Sequence, residues 1–505
     1  MFIELLDTTL RDGEQTSGVS FSTSEKLGIT RLLLDELHVP RIEIASARVS
    51  SGEFEAVKEV CGWASRNGYG EKIEILGFID NGESVKWIKK VGGKVINLLA
   101  KGSEKHCRLQ LKKTPGEHIS DIRHEVEMAK ANGLTVNLYL EDWSNGIKNS
   151  PDYVYHLMDS LKELPIKRFM LPDTLGIMNS NEVFKYCKRM IDRYPTLHFD
   201  FHGHNDYDLA AANSFAAGLA GVHGIHCTVN GLGERAGNAP LSSVVAIIHD
   251  MLKMETNVDE TKINKVSHIV ESFSGITVPA NKPIIGENVF TQCAGVHADG
   301  DNKSNLYYND LLPERFGRER EYALGKTSGK ANIKKNLEAL GIELSDENIK
   351  KVTQRIIELG DKKEIVTPDD LPFIIADVLK QDVVHKKVKI VNYALSLSQG
   401  LRPTATVKIE INENEYQESA VGDGQYDAFV KAVRKIYCER LERDFPTLTN
   451  YSVNIPPGGR TDALVHTTIT WNYKGHVIKT RGLDADQTEA AIQATVKMLN
   501  IIENL

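Results

Sequence analysis

Along the first half of the chain, short β-branched and apolar runs alternate with longer stretches whose apolar positions recur every three or four residues. The short runs predict strands at Phe2–Leu6, Arg41–Ala45, Ile73–Phe78, Val95–Leu99, Thr135–Leu140, Arg168–Leu171, His198–His202 and Gly224–Val229. Eight strands, each followed by a helix-like segment, predict an α/β fold of the (β/α)8 TIM-barrel type rather than an open sheet. Helix signals fall in the intervals. Ser22 with Glu25 three residues later marks a capped start, and Asn132-Gly133 marks a stop just before the fifth strand.

The alternation inside the strands carries a second message. In Arg41-Ile42-Glu43-Ile44-Ala45 the isoleucines face one way and Glu43 the other. From Val136 to Glu141, Val136, Leu138 and Leu140 alternate with Asn137, Tyr139 and Glu141. A barrel explains both: apolar residues pack outward on the helices while polar ones look toward the mouth. In such barrels the reacting groups stand at the C-terminal ends of several strands.

Beyond about residue 255 the pattern becomes irregular. Residues 281–330 are rich in Asn, Gly, Asp and Arg and contain the run from Thr291 through His297 to Asp299. Helices resume over roughly 331–380, where Thr367-Pro368-Asp369-Asp370 is a start signal. The remainder shows a weak internal repeat. Strands near 387–420 lead through Gly422–Ala428 into a helix, and strands near 451–482 lead through Asp484–Ala490 into a second. The expected organisation is a barrel over 1–280, helical connector subdomains over 281–385 and an α+β domain of two βββα units over 386–505, which suggests a small-molecule or dimerisation module.

Composition narrows the setting. The chain has 505 residues, 41% of them apolar and 26% charged, as in a soluble globular protein. A formal net charge of -8 argues against general affinity for nucleic acid or an anionic membrane. Six scattered cysteines without a CxxC pair suit a reducing cytoplasm better than a disulfide framework. The first residues show neither a secretory nor a transit signal, and no apolar run is long enough to span a bilayer. A cytoplasmic protein is expected.

The chemistry concentrates at strand ends. Read as a strand, His198–His204 places Phe199 and Phe201 on one face and His198, Asp200, His202 and His204 on the other. Two imidazoles projecting together beside a glycine suit a divalent transition metal. The first strand closes on Arg11-Asp12. Asp12 with His202 and His204 would make a carboxylate-plus-two-imidazole site with open positions, able to take both oxygens of a 2-oxo acid and act as a Lewis acid. Arg11 can neutralise a developing alkoxide or enolate. After the eighth strand, Asn230–Asn238 is a glycine-rich turn that brings Asn238 toward the same centre.

Three motifs, DTTLRDGEQ at the first strand, HGHND at the seventh and NGLGERAGN after the eighth, together resemble the Claisen-condensing acyl-CoA synthases that make isopropylmalate, homocitrate and citramalate. The similarity extends over essentially the whole chain. It implies a metal-dependent homodimer that condenses acetyl-CoA, as co-substrate, with a 2-oxo acid and then hydrolyses the thioester. The resemblance makes Asp12, His202, His204 and Asn238 the ligands of one divalent metal (Mn, Zn, Mg or Co), and Arg11 and Thr174 the groups that hold the oxo acid. It makes Glu141 and His297 the acid/base pair, His297 arriving from the connector of the partner subunit, with Asp299 and Tyr307 on the same connector segment as further substrate-binding and catalytic residues.

The stretches SFSTSEK, EIASARVS and YLEDWSNG are most similar to the citramalate-forming members. Leu76, Leu99 and Tyr139 would form a tight apolar wall beside the substrate's side chain, favouring pyruvate. Three alternatives stay open: an isopropylmalate synthase taking 2-oxoisovalerate, a metal-dependent lyase or aldolase, and a catalytically idle amino-acid sensor. In the C-terminal domain, Tyr426 and Asp427 open one helix and Gln487 the other, where backbone donors favour a carboxylate. Asp462 would supply an oxygen for an ammonium group. The expected effector is isoleucine, with leucine second.

Overall fold

Local alternation becomes a closed surface once the strands pair. The structure, a computed structural model, describes residues 2–294, 297, 300, 306–340, 342–361, 366–379, 387–454 and 465–504. It divides into two units, one running to Thr291 and taking in Tyr308–Arg320, the other holding Gln292–Tyr307 and the chain from Glu321 onward.

In the first unit eight parallel strands close into a barrel: β1 (Glu4–Asp7), β2 (Arg41–Ser46), β3 (Ile73–Phe78), β4 (Val95–Lys101), β5 (Thr135–Glu141), β6 (Ile166–Asp173), β7 (Phe199–Gly203) and β8 (Gly224–Cys227). β8 pairs back onto β1, with Glu4 opposite Gly224 and Asp7 opposite Cys227. The intervening helices are α1 (Thr23–Arg31), α2 (Ser51–Arg66), α3 (Glu83–Val91), α4 (Pro115–Ala131), α5 (Pro151–Leu161), α6 (Ser180–Arg193), α7 (Ala210–Ala220) and α8 (Leu241–Asp250), with α9 (Ile263–Ser274) following. Their ends follow local chemistry. Ser22 with Glu25, Thr114 with Glu117 and Asn179 with Glu182 each form a reciprocal capping box. α4 stops at Asn132, followed by Gly133 at φ +74°, where a side chain would be strained.

The sheet has a dry outside and a largely polar inside. Ile42, Ile44, Ile75, Leu98, Leu138, Leu140, Phe199 and Phe201 are fully buried between strands and helices. Their partners in the alternation, among them Arg41, Glu43, Glu74, Asn97, Asn137 and Asp200, are equally buried inside the barrel. An apolar layer of Leu6, Leu76, Tyr139 and Met170, with Leu99 against it, interrupts this polar interior. Strand limits move slightly from the sequence pattern. Phe2 bridges Glu255 instead of joining β1, β6 continues through Pro172 to Asp173, and β8 ends at Cys227 because Val229–Gly231 turns.

In the second unit, α10 (Lys330–Ala339), α11 (Asp346–Asp361) and α12 (Leu371–Leu379) share a small core of Ile333, Leu337, Ile349, Val352, Ile356, Leu371 and Ile375. Thr367 and Asp370 form a capping box ahead of α12. Two antiparallel sheets follow. β9 (Val388–Ser396), β10 (Thr404–Ile411) and β11 (Asn414–Val421) lead to α13 (Gln425–Lys435). β12 (Thr447–Asn454), β13 (Val465–Tyr473) and β14 (His476–Asp484) lead to α14 (Gln487–Ile502). The repeat extends to detail: β9 shifts register between Ile390 and Asn392, β12 between Leu448 and Asn450. Both halves contribute to one core, through Val407, Phe429 and Val433 from the first and Ile469, Trp471 and Met498 from the second. No helix among the described residues is long and apolar enough to cross a membrane.

Candidate active site

β1 ends in a tight turn. The Thr8 carbonyl accepts from the backbone N–H groups of Arg11, Asp12 and Gly13 at 3.1, 2.8 and 3.1 Å, which folds Arg11 and Asp12 back over the barrel mouth. β7 delivers His202 at its end and His204 just beyond, both nearly buried. The Asp12 Oδ2 lies 3.2 Å from His202 Nε2, 3.8 Å from His204 Nε2 and 3.3 Å from Arg11 Nη1. One ligand atom from each of Asp12, His202 and His204 falls within 4.8 Å of the others.

This cluster suits a cation. Among the described residues neither Asp12 oxygen nor His204 Nδ1 makes a hydrogen bond, although all are buried, so the carboxylate is offset only by its ion-pair contacts with Arg11, His202 and His204. Burial pushes the His204 imidazolium down to about 4 and lowers His202 as well, against the pull of Asp12. Burial alone would raise Asp12, but Arg11, His202 and His204 hold it well below the usual carboxylate range. Two neutral imidazoles and one carboxylate are the protonation states a divalent metal requires.

The glycine-rich loop supplies the neighbouring amide. Gly237 is at φ +87°, and a Cβ there would fall 2.0 Å from the Gly231 carbonyl oxygen; a Cβ on Gly233 would fall 2.3 Å from Asn238 Nδ2. Only glycines permit this fold-back, which sets Asn238 in a β-bridge with His204. Asn238 Nδ2 donates to the Leu232 carbonyl at 3.2 Å, and its Oδ1 is buried with no partner among the described residues. Asn230 and Ser267 of α9 anchor the loop from behind with reciprocal hydrogen bonds of 3.0 and 2.6 Å.

Beside the cluster lies a cavity of about 230 Å³ lined by Arg11, Asp12, Leu76, Leu99, Tyr139, Glu141, Thr174, His202 and His204. The structure therefore gathers around one space residues drawn from six strands or the turns after them. Arg11 is clamped there: Nε donates to Glu43 Oε2 at 2.5 Å and Nη2 to the Tyr139 hydroxyl at 3.3 Å. Thr174 Oγ1 accepts from the Asp142 backbone N–H at 2.9 Å, so its own hydroxyl proton is available to another acceptor. Glu141 closes β5 directly opposite Lys101, the last residue of β4, and the two form an ion pair.

Lys101, Glu43, Gln15, Ser46, Phe78 and Glu234 belong to the site or its support without having been singled out for it. Strand parity holds the signal for one of them. Asn97, Leu99 and Lys101 share a face of β4, so a lysine at that strand's end is aimed inward.

Other candidates lie in the second unit. The rings of His297 and Tyr307 sit 4.3 Å apart, with Tyr307 about half exposed. Asp299 falls outside the described residues, as does Asp462. The Tyr426 hydroxyl pairs with Thr495 Oγ1 at 2.8 Å, linking α13 to α14, and its ring lies 5.4 Å from that of Tyr451. Asp427 accepts from the Asp423 N–H at 2.8 Å and pairs with Lys431. Gln487 opens α14, where the Asp486 carboxylate already takes the N–H groups of Thr488 and Glu489 at 2.7 and 3.1 Å.

Comparison with known proteins places this geometry. Three family profiles follow one another along the chain: HMGL-like over residues 2–270, homocitrate synthase post-HMGL domain-like over 284–364, and the LeuA allosteric (dimerisation) domain over 365–503. Among curated relatives, an (R)-citramalate synthase of Methanocaldococcus jannaschii is 33% identical over 510 residues, covering all of both chains. A 2-isopropylmalate synthase of the same organism is also 33% identical, over 512 residues, covering 99% of this chain and 94% of that one.

Proposed function

The chain belongs to the HMGL-like family, and from that premise we propose that it is an (R)-citramalate synthase, an acyltransferase joining acetyl-CoA to pyruvate. The observation that carries the choice of substrate is the wall of Leu76, Leu99 and Tyr139 beside Arg11 and the Asp12–His202–His204 cluster. A methyl group suits so close an apolar wall, whereas 2-oxoisovalerate brings two more carbons into the same space. The equal identity to a 2-isopropylmalate synthase makes 2-oxoisovalerate the competing substrate.

Asp12, His202 and His204, with Asn238 beside them, would hold one divalent cation, which when bound supplies Lewis acidity. Arg11 offsets the negative charge that develops on the keto oxygen. The Thr174 hydroxyl donates a hydrogen bond to the oxo acid's carboxylate. Glu141 and His297 of the partner subunit act as a base and its orienting group, removing a proton from the acetyl methyl. The methyl carbon then bonds to the keto carbon, and water cleaves the thioester to citramalate and free coenzyme A. Tyr307 and Asp299 complete the partner's contribution.

The LeuA profile supports a homodimer whose C-terminal domains bind an end-product amino acid. We assign the effector as isoleucine, because citramalate is a precursor on a threonine-independent route to it, with Tyr426, Asp427, Asp462 and Gln487 near the site. Six cysteines without a disulfide accord with a cytoplasmic enzyme.

The test is thiol release from acetyl-CoA with a panel of 2-oxo acids. Pyruvate should give the highest kcat/KM, and isoleucine should inhibit and bind in calorimetry. Preference for 2-oxoisovalerate would replace this reading with isopropylmalate synthesis. Carbon–carbon cleavage without thiol release would point to a lyase.

A further inference from the structure

Beneath Arg11 the barrel holds polar side chains that this chemistry leaves unused. His226 on β8 is 1% exposed and bridges two groups: its Nε2 lies 3.2 Å from Asp200 Oδ2 and its Nδ1 3.1 Å from the Tyr139 hydroxyl. Asp200 is fully buried, and Arg41 Nη1 donates to the same Oδ2 at 2.7 Å. A Cβ on Gly224 would fall 2.2 Å from Asp200 Oδ1, so a glycine at the start of β8 is what admits this carboxylate to the barrel interior.

A carboxylate paired with a guanidinium only accepts hydrogen bonds. His226 therefore carries its proton on Nε2, and its Nδ1 presents a lone pair. The Tyr139 hydroxyl has one proton and three polar neighbours: His226 Nδ1 at 3.1 Å, Arg11 Nη2 at 3.3 Å and Glu43 Oε2 at 3.4 Å. Arg11 can only donate. Glu43 Oε2 already accepts from Arg11 Nε at 2.5 Å and lies farther from the hydroxyl than His226 Nδ1 does. The hydroxyl proton thus goes to His226, the nearer acceptor, and the oxygen of Tyr139 turns its own lone pair to Arg11.

We propose that His226, its tautomer set by Asp200, is a positioning residue that orients the Tyr139 hydroxyl and, through it, the Arg11 guanidinium that meets the 2-oxo acid. The proposal rests on the reading of Arg11 given above. Arg11 is then held on three sides, by Glu43, Tyr139 and Asp12. A second consequence concerns specificity: with its proton committed to His226, Tyr139 offers the cavity no hydroxyl donor, so a 2-oxo acid with a polar side chain gains no partner from that wall.

The test uses the full chain with His226→Leu, His226→Asn and Tyr139→Phe. Asparagine is chosen because its Oδ1, like the histidine Nδ1, is attached to Cγ. His226→Leu should lower kcat/KM for pyruvate on the order of tenfold, the size of one hydrogen bond to a charged network, while bound metal changes far less. His226→Asn should recover most of that loss. If both variants lower kcat/KM and thermal stability equally, the residue only fills space and the proposal fails. A second readout needs no turnover. In nitrogen NMR of histidine-labelled protein, the His226 signals, identified by their loss in His226→Asn, should show the Nε2-protonated tautomer. The Nδ1 signal should move in Tyr139→Phe. A protonated Nδ1, or one indifferent to Tyr139, overturns the proposal whichever 2-oxo acid is turned over. Absence of thiol release with every 2-oxo acid would instead overturn the functional reading, leaving the NMR result to decide on His226.

Discussion

Replacing Leu99 by alanine should widen the enzyme's choice of 2-oxo acid. Leu99 lines the cavity and packs against the Leu6, Leu76, Tyr139 and Met170 layer, so it touches both the substrate space and the barrel core. The substitution removes three carbons. At about 0.8 kcal/mol per buried CH₂, the lost contact is worth roughly 2 kcal/mol. The stability cost should fall near the low end of the usual range of about 2–5 kcal/mol, because the new space opens into an existing cavity rather than forming a sealed void. On the substrate side, 2-oxobutanoate exceeds pyruvate by one methylene, and a pocket excludes one methylene by about 1–3 kcal/mol, or roughly 10- to 200-fold. The 2-oxobutanoate to pyruvate ratio of kcat/KM should therefore rise by at least about tenfold. The assay is thiol release with each acid, run beside bound-metal analysis and thermal unfolding on the same preparation. A ratio unchanged within about twofold, with metal content and pyruvate kinetics intact, would refute the claim that Leu99 forms the specificity wall.

The remaining expectations concern the metal, the acid/base pair and acid stability. His202→Ala should lose bound metal and activity together while keeping the barrel's circular dichroism; full metal occupancy with wild-type turnover would remove His202 from the ligand set. Glu141→Gln and His297→Gln should each lower kcat far more than they change KM for pyruvate, and mixed dimers of the two variants should regain activity if His297 serves the partner's site; no regain despite demonstrated subunit exchange counts against a shared site. His118 is buried with its Nε2 accepting the Lys101 N–H at 3.1 Å, and burial, helped by Lys113 and Lys101 and opposed by Asp121, pushes it down to about 4. Its folded pKa lies below the unfolded value of 6.5, so its contribution is complete above that pH and is lost as pH falls toward about 4. Unfolding stability should drop by up to about 3 kcal/mol over that window, and the slope should flatten in His118→Gln; an unchanged slope places the acid lability elsewhere.

What the sequence determined by itself is what depends on near neighbours in the chain. A strand's inward and outward faces follow from a two-residue period, which is why Glu43, Tyr139, Glu141 and His202 could be aimed at the barrel interior before any strand was paired. Helix starts at Ser22 and Thr367 follow from a side chain and an acid three residues on. The eight-fold alternation predicts closure, and a charged inner face says that the interior is not an ordinary packed core.

Tertiary structure decided which inward residues meet. The pairing of Lys101 with Glu141 depends on β4 and β5 being in register at their last residues, and the grip of Glu43 on Arg11 spans β2 and the turn after β1. The path from Arg41 through Asp200 and His226 to Tyr139 joins four strands and needs the missing side chain of Gly224. None of these contacts has a sequence period, because each couples residues far apart along the chain. Closure also explains their form. A polar side chain buried inside a barrel is shielded from bulk solvent, so its partners come from other strands, often across the barrel as Arg41 of β2 reaches Asp200 of β7, and the closure and shear of the barrel determine which residues those are.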